Sequence, residues 1–176
     1  MGETLDQIER AHNRTSTVSG IDTGFPDLND QTAGLQSGDL IILAARPSVG
    51  TTAFALSIAR NAAMSGIEND QSKGVAISSL EMSKTQLAQR LLSAETRVDL
   101  HKLRTGRLHE DDWLRITKTV GRIAQGPIYI DDTPSISVLE ARAKARRLKR
   151  ENGLGLVIVD YHQLMSSHSR AQSREH

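Results

Sequence analysis

Apolar positions in this chain fall into continuous runs and into sets that recur at helical spacing. Residues 39–44, with Leu40, Ile41, Ile42, Leu43 and Ala44 in succession, predict a strand covered on both faces of a sheet. Residues 52–64 follow as a helix in which Phe54, Ile58 and Ala62 recur, and Gly66 sits where a C-terminal cap belongs. Val75, Ala76 and Ile77 form a second, short strand. Ser83 with Gln86 three residues on makes a capping box for a helix through about Glu95. A helix over 110–124 is predicted to bury Trp113, Ile116, Val120 and Ile123 on one face. Residues 127–131 are a third strand. Ser137 and Glu140 form another capping box, opening a basic helix that ends near Gly153. Residues 156–160 are a fourth strand, apolar until Asp160. Strands alternating with helices predict an α/β fold with a mainly parallel sheet and helices on both faces.

The flanks are less regular. Residues 4–12 are polar, with Leu5, Ile8 and Ala11 on one narrow helical stripe. So short a helix needs a surface to dock on. Residues 13–38 are rich in Thr, Ser, Gly and Asp and read as loops and turns with a short interruption. Residues 166–176 are rich in Ser and Arg and are expected to be a loosely ordered tail. The chain therefore divides into a linker-helix region at 1–14, a core at 15–165 and a tail at 166–176. It has no internal repeat.

Composition narrows the chemistry. A chain of 176 residues supports one domain with a sizeable core. A net charge of only +1 does not announce a nucleic-acid binder, so any basic partner surface is local. Arg142, Lys144, Arg146, Arg147, Lys149 and Arg150 wrap around their helix rather than forming a stripe, as on a solvated face; direct DNA contact is the competing reading. The absence of cysteine excludes disulfides, Cys-based zinc sites and a cysteine nucleophile. Six histidines are scattered without the close pairing of a metal site. The N-terminus lacks a basic patch followed by an apolar run, so it is not a secretory signal. The run from Leu40 to Ala45 is far below a membrane span, and a soluble cytoplasmic protein without membrane contact is expected.

In an open parallel sheet, ligands bind beyond the carboxyl ends of the strands. The first strand leads into Ala45-Arg46-Pro47-Ser48-Val49-Gly50-Thr51-Thr52 and directly into a helix. Backbone N–H groups in such a loop, backed by a helix N-terminus, cradle phosphate, and the Thr52 hydroxyl is placed to ligate Mg²⁺. Against the usual phosphate-loop pattern, Ala45 replaces the first glycine and Thr51 the lysine. An ordinary strand–turn–helix with Gly50 as its turn residue stays open on the pattern alone. The second strand runs into Ser78-Ser79-Leu80-Glu81, and the fourth ends in Asp160 after four apolar residues, the form of a Walker B aspartate. Asp160 would hold the Mg²⁺ shell while Glu81 polarises an attacking water. Each acid alone also reads as a solvated strand terminus; at one edge with the loop they point to function. Trp113 is read as core, and no histidine, His162 included, is given a role.

These segments resemble the C-terminal RecA-like motor of DnaB-type replicative helicases along nearly the whole chain. The resemblance is densest from Gly34 to Ser48, and it includes Ala45. It extends through the helix Leu5 to Arg10, Thr23 to Leu28, Ser79-Leu80-Glu81-Met82-Ser83, Leu103-Arg104-Thr105-Gly106, Ile128 to Pro134 and Val159 to Met165. The resemblance implies a RecA-like P-loop fold, truncated on its C-terminal side, from a hexameric ring ATPase that moves on single-stranded DNA and separates the duplex. By motif, residues 45–52 wrap the triphosphate of ATP, Thr52 and Asp160 serve Mg²⁺, and Glu81 is the catalytic glutamate. The Leu5–Arg10 helix corresponds to a segment that docks on a neighbouring subunit.

Primase and a helicase loader are partners by the same resemblance, although the primase-binding domain is absent from this chain. Past Met165 the family continues through DNA-contacting loops, further strands and an arginine finger. The expectation is a piece of a motor. Thr51 stands where the family has lysine, and loss of a charge-assisted hydrogen bond costs roughly 1.5–3 kcal/mol, about tenfold to a hundredfold in affinity. This chain alone is therefore expected to hydrolyse ATP poorly or not at all. The alternative is a non-catalytic nucleotide-binding or oligomerisation module of RecA-like fold; a recombinase or clock-type ATPase is a weaker third reading.

Overall fold

A computed structural model describes residues 18–46, 48–65 and 73–160. The expected helix at 4–12, the Gly66 cap and the tail at 166–176 lie outside these residues. In chain order the elements are α1 (Pro26–Thr32), α2 (Thr51–Met64), β1 (Gly74–Ser79), α3 (Lys84–Thr96), α4 (Leu100–Thr105), α5 (Glu110–Gln125), β2 (Ile128–Asp131), α6 (Val138–Asn152) and β3 (Leu154–Asp160). The strands form one parallel sheet in the order β2-β1-β3. Helical crossovers return the chain to the starting edge, as parallel pairing requires.

Alternation along the strands sorts side chains onto two faces. Val75 and Ile77 of β1, Ile128 and Ile130 of β2, and Leu156 and Ile158 of β3 pack with Leu56, Ala59, Ala62 and Ala63 of α2. On the other face α6 lies over Ala76, Ser78, Tyr129, Val157 and Val159, with a cavity of about 370 Å³ between helix and sheet. Helices thus cover both faces, as the alternating pattern predicts.

The direction of α2 decides where its first turn lies. A Cβ on Gly126 would come within 2.8 Å of the Met64 methyl carbon, so the last turn of α2 sits beside the entry to β2. The helix runs against the strands. A 14-residue helix spans about 20 Å, close to the length of a six-residue strand. Its first turn therefore lies at the carboxyl edge of the sheet.

Both expected capping boxes form: Ser83 Oγ accepts from Gln86 N, and Ser137 Oγ accepts from Glu140 N. Helix α1 is the short interruption expected within 13–38, with proline in its first turn. Asn29 accepts from Thr23 Oγ1 at 2.7 Å, and Asn61 of α2 donates to the Thr23 carbonyl at 2.9 Å, tying this segment to α2. Helix α4 is an element that the apolar periodicity does not signal. Its start is fixed by Asp99, whose carboxylate accepts from His101 N and Lys102 N.

Two expectations are corrected. Residues 39–44 are not a strand and are not covered: Leu40 is 88% exposed and Ile42 78%. A strand is defined by its ladder partner, and the two edge strands β2 and β3 each pair only with β1. An apolar run specifies a preference for burial without supplying the partner.

The second correction concerns α5, where Trp113 is 57% exposed and Val120 is also exposed. The buried stripe there is narrower and centred on a charge. Asp112 and Ile116 point inward, and Asp112 is held by Lys102 at 3.3 Å, Arg115 at 3.1 Å and the His109 amide at 3.2 Å. Trp113 lies beside that stripe, outside it. The six basic residues of α6 are exposed as expected, with Lys144 paired to Asp131 and Arg147 to Glu151.

Candidate functional site

The loop before α2 is a tight reversal. Val49 N donates to Arg46 O at 3.3 Å, and Ser48 (φ 67°) and Gly50 (φ 102°) occupy the left-handed region. Nothing lies within 4 Å of where a Gly50 Cβ would be, so conformation and not crowding selects glycine. Gly50 is the N-cap of α2 and brings no side-chain cap. The first helical bond runs from Phe54 N to Gly50 O at 3.0 Å. The N–H groups of Thr51, Thr52 and Ala53 consequently have no acceptor among the described residues. With the helix dipole behind them, these donors suit an anion. The Phe25 ring packs on Phe54 at 4.9 Å between centroids and steadies this first turn.

Two carboxylates share the same edge. Ser79 of β1 stands opposite Asp160 of β3, and Leu80 N donates to Asp160 O at 2.8 Å. Glu81 is the next residue out. Ser79 is buried, and its Oγ accepts from Met82 N at 3.0 Å, which turns the chain immediately around Glu81. Glu81 is exposed and Asp160 half-buried. Asp160 follows the alternation of Leu156 and Ile158, so it belongs to the face covered by α2.

A third strand-end acid shows what a structural carboxylate looks like here. Asp131 accepts from Lys144 Nζ at 2.6 Å and from Thr133 N at 3.2 Å. Burial pushes its pKa up, but Lys144 and Thr133 outweigh that and leave it below the ordinary carboxylate range. The side chains of Glu81 and Asp160 make no hydrogen bond or ion pair among the described residues. They are the acids left for another partner.

The phosphate-loop residues are only partly assembled around this edge. Thr51 and Thr52 are half-buried, while Ala45, Arg46, Ser48, Val49 and Gly50 are exposed; Pro47 lies outside the described residues. Among the described residues the loop is anchored on its helical side, and residues 39–44 do not join the sheet. No group of three or more His, Cys, Asp or Glu suited to a metal occurs among the described residues. One carboxylate and one hydroxyl, completed by phosphate oxygens and water, is how Mg²⁺ is ordinarily held. The donor set fits Mg²⁺ arriving with a nucleotide and does not fit a cation held by protein alone.

Sequence reasoning misses the support behind the loop helix. Glu95 of α3, with its side chain 8% exposed, pairs with Arg60 of α2 at 3.1 Å and with Arg122 of α5. No local pattern reveals a contact between residues so far apart in sequence.

The family described as the DnaB-like helicase C terminal domain matches residues 20–176 of the chain. The chain is 51% identical over 170 residues to the replicative DNA helicase DnaB of Geobacillus stearothermophilus and 52% identical over 170 residues to the replicative DNA helicase DnaC of Bacillus subtilis strain 168. Each alignment covers 97% of this chain and 36% of the relative, so the chain spans about a third of those proteins. Among solved structures, one described as an ATPase domain is similar with a TM-score of 0.85 and 31% identity, over 98% of this chain and 61% of that one. A DnaB-like replicative helicase, solved in work on its interactions with primase, matches with a TM-score of 0.84 at 31% identity over 97% of this chain and 41% of its own.

Proposed function

Because this chain belongs to the DnaB-like helicase C-terminal domain family, we propose that it is part of a replicative helicase motor, coupling ATP binding and hydrolysis to movement along single-stranded DNA and duplex unwinding. The observation that carries the reading is one shared edge. The uncapped first turn of α2 and the two unengaged acids, Glu81 and Asp160, all lie at the carboxyl ends of the parallel strands.

In this reading, residues 45–52 wrap the triphosphate, with the amides of Thr51, Thr52 and Ala53 donating to phosphate oxygens. Thr52 and Asp160 would hold Mg²⁺, which neutralises charge on the transferring phosphoryl group when bound. Glu81 orients the attacking water and accepts its proton. Ser79 is a positioning residue, since its bond to Met82 N fixes the turn that carries Glu81.

Thr51 limits this chemistry. It keeps a hydroxyl but lacks the positive charge that lysine extends to the β- and γ-phosphates. We therefore assign nucleotide binding to the loop and little turnover to this chain by itself. The same residue favours a second reading, a non-catalytic nucleotide-binding or oligomerisation module. In the whole protein we place the domain in a hexameric ring in the cytoplasm, with single-stranded DNA, primase and a loader as partners. An ATPase assay at saturating Mg²⁺ and single-stranded DNA tests the assignment: turnover near background is expected, and robust DNA-stimulated turnover contradicts the role given to Thr51.

A further inference from the structure

Pairing divides the basic side chains of α6 into two sets. Lys144 donates to Asp131 at 2.6 Å and Arg147 to Glu151 at 3.1 Å. Both lie on the flank of the helix that, with Ala141, Ala145 and Leu148, lines the cavity over the sheet. The acids of α6 are on that flank too. Glu151 lines the cavity, and Glu140 accepts from Ser137 N at 2.9 Å and from Ser137 Oγ at 2.8 Å. Arg142, Arg146 and Lys149 have no ion pair or side-chain hydrogen bond among the described residues. Arg150 reaches only the Glu151 carboxylate that Arg147 already holds, at 4.0 Å. At intervals of three and four residues, these four exposed cations share the side of the helix that faces away from the sheet. No acid stands on that side.

Contacts among the described residues do not account for this stripe. Lys149 and Arg150 lie in the last turn, where a cation offsets the helix dipole, but Arg142 and Arg146 do not. Like charges four residues apart repel, as Arg142 repels Arg146 and Arg146 repels Arg150. An unbalanced row of cations, three of them guanidinium groups, suits a row of phosphates. From Arg142 to Arg150 the helix advances about 12 Å. Phosphates of one stacked strand follow at about 3.4 Å, so the row meets about four of them. Leu139 and Ala143, the uncharged members of that side, offer no ring for stacking and no polar group for a base edge.

We propose that the outer face of α6 binds the phosphodiester backbone of a nucleic acid without reading its bases. The proposal rests on the reading above only in taking DNA as a partner, and the nucleotide site plays no part in it.

Anisotropy of a fluorescein-labelled oligothymidylate, and of its duplex with oligoadenylate, is followed as the unaltered chain is added at low salt without nucleotide. Binding to one or both is expected, and the tighter of the two identifies the form of nucleic acid. On the single strand, log K should fall against log salt concentration with a slope of about −2.8, for four phosphate contacts. In the double variant Arg142→Gln with Arg146→Gln that slope should halve and affinity at low salt fall about tenfold, with the unfolding midpoint no lower. Arg107→Gln with Lys118→Gln removes the same charge from exposed positions elsewhere and should bind as the unaltered chain does.

No binding by the unaltered chain, undiminished binding by the α6 variant, or equal losses in the two double variants would each overturn the proposal. So would displacement by polyglutamate as effective, charge for charge, as by unlabelled oligothymidylate, which assigns the face to an acidic protein instead. A chain that binds DNA through α6 but binds no ATP, with or without Thr51→Lys, keeps this proposal and loses the motor reading. Undiminished DNA binding by the α6 variant beside intact ATP binding does the reverse. If the α6 variant does not fold, backbone amide resonances of the unaltered chain decide the matter: those of α6 should shift on adding oligothymidylate, and unmoved resonances there contradict the site.

Discussion

The amide of Leu80 donates to the carbonyl of Asp160 at 2.8 Å, extending the β1–β3 ladder beyond its last residue pair. Two chains leaving the sheet are thereby held in step at the point where each delivers an acid. Glu81 follows on one chain, and Asp160 is the last strand residue of the other. Asp131, at the end of the third strand, is occupied by Lys144 and Thr133. Of three strand-end acids, only Asp131 has a side-chain partner among the described residues.

Glu81 and Asp160 are expected to fail differently when substituted. In a Thr51→Lys background, Glu81→Gln should leave nucleotide affinity nearly unchanged and reduce turnover by roughly 10²–10³-fold, the usual scale for losing one group that acts in the transition state. Asp160→Asn should weaken binding of ATP with Mg²⁺ more than binding of ATP with EDTA. Equilibrium titration and steady-state ATPase rates on both variants check this, and equal Mg²⁺ dependence before and after Asp160→Asn counts against the metal role.

Gly50→Ala tests the loop's conformation apart from its packing. Space for the methyl is open, but φ is 102°. Holding a non-glycine residue there costs about 1–3 kcal/mol. The variant should either lose that much stability in urea unfolding or relax the loop and lose nucleotide binding. A variant that keeps both shows that the left-handed turn is not required.

Asp112 sets an acid limit on stability. The hydrogen bond from the His109 amide lowers its pKa, burial opposes this, and Lys102 and Arg115 lower it further, leaving a net depression. A carboxylate depressed in the folded state stabilises above its unfolded pKa, roughly 4, and loses that stabilisation as pH falls through the folded value. Unfolding midpoints should therefore drop below about pH 4, and Asp112→Asn should flatten that acid limb while lowering stability at neutral pH. An acid limb unchanged in Asp112→Asn assigns the effect to other carboxylates.

The exposed run at residues 40–43 predicts an unusual contrast between two isoleucines. Ile42 is 78% exposed and Ile77 1%. Ile42→Lys should change stability by no more than about 0.5 kcal/mol, whereas Ile77→Ala should cost about 2–5 kcal/mol. Self-association measured by light scattering should fall in Ile42→Lys, since an exposed apolar run invites association with another chain. A loss of several kcal/mol in Ile42→Lys would mean that these residues are buried in solution.

What the chain shows in advance depends on range. Ser83 with Gln86 and Ser137 with Glu140 are local signals, and both helices begin where these pairs place them. Three of the four expected strands form, because their apolar runs find partners, and Asp160 ends its strand as read. Residues 39–44 carry an equally strong pattern and remain unpaired, since pairing belongs to two segments and not to one. Trp113 misleads for a related reason. Helical spacing identifies a face, but the face of α5 that turns inward is fixed by where Lys102 can reach Asp112. In the candidate site the loop, Glu81 and Asp160 are legible as motifs, whereas Ser79's hold on Met82 and Glu95's on Arg60 arise only on folding.

The most direct test of the account is ATP affinity in the presence of Mg²⁺, measured on the unaltered chain and on Thr51→Lys. The account predicts measurable binding in the first and about tenfold to a hundredfold tighter binding in the second, the worth of one charge-assisted hydrogen bond. Failure of both forms to bind nucleotide would contradict the assignment of residues 45–52 as the phosphate loop.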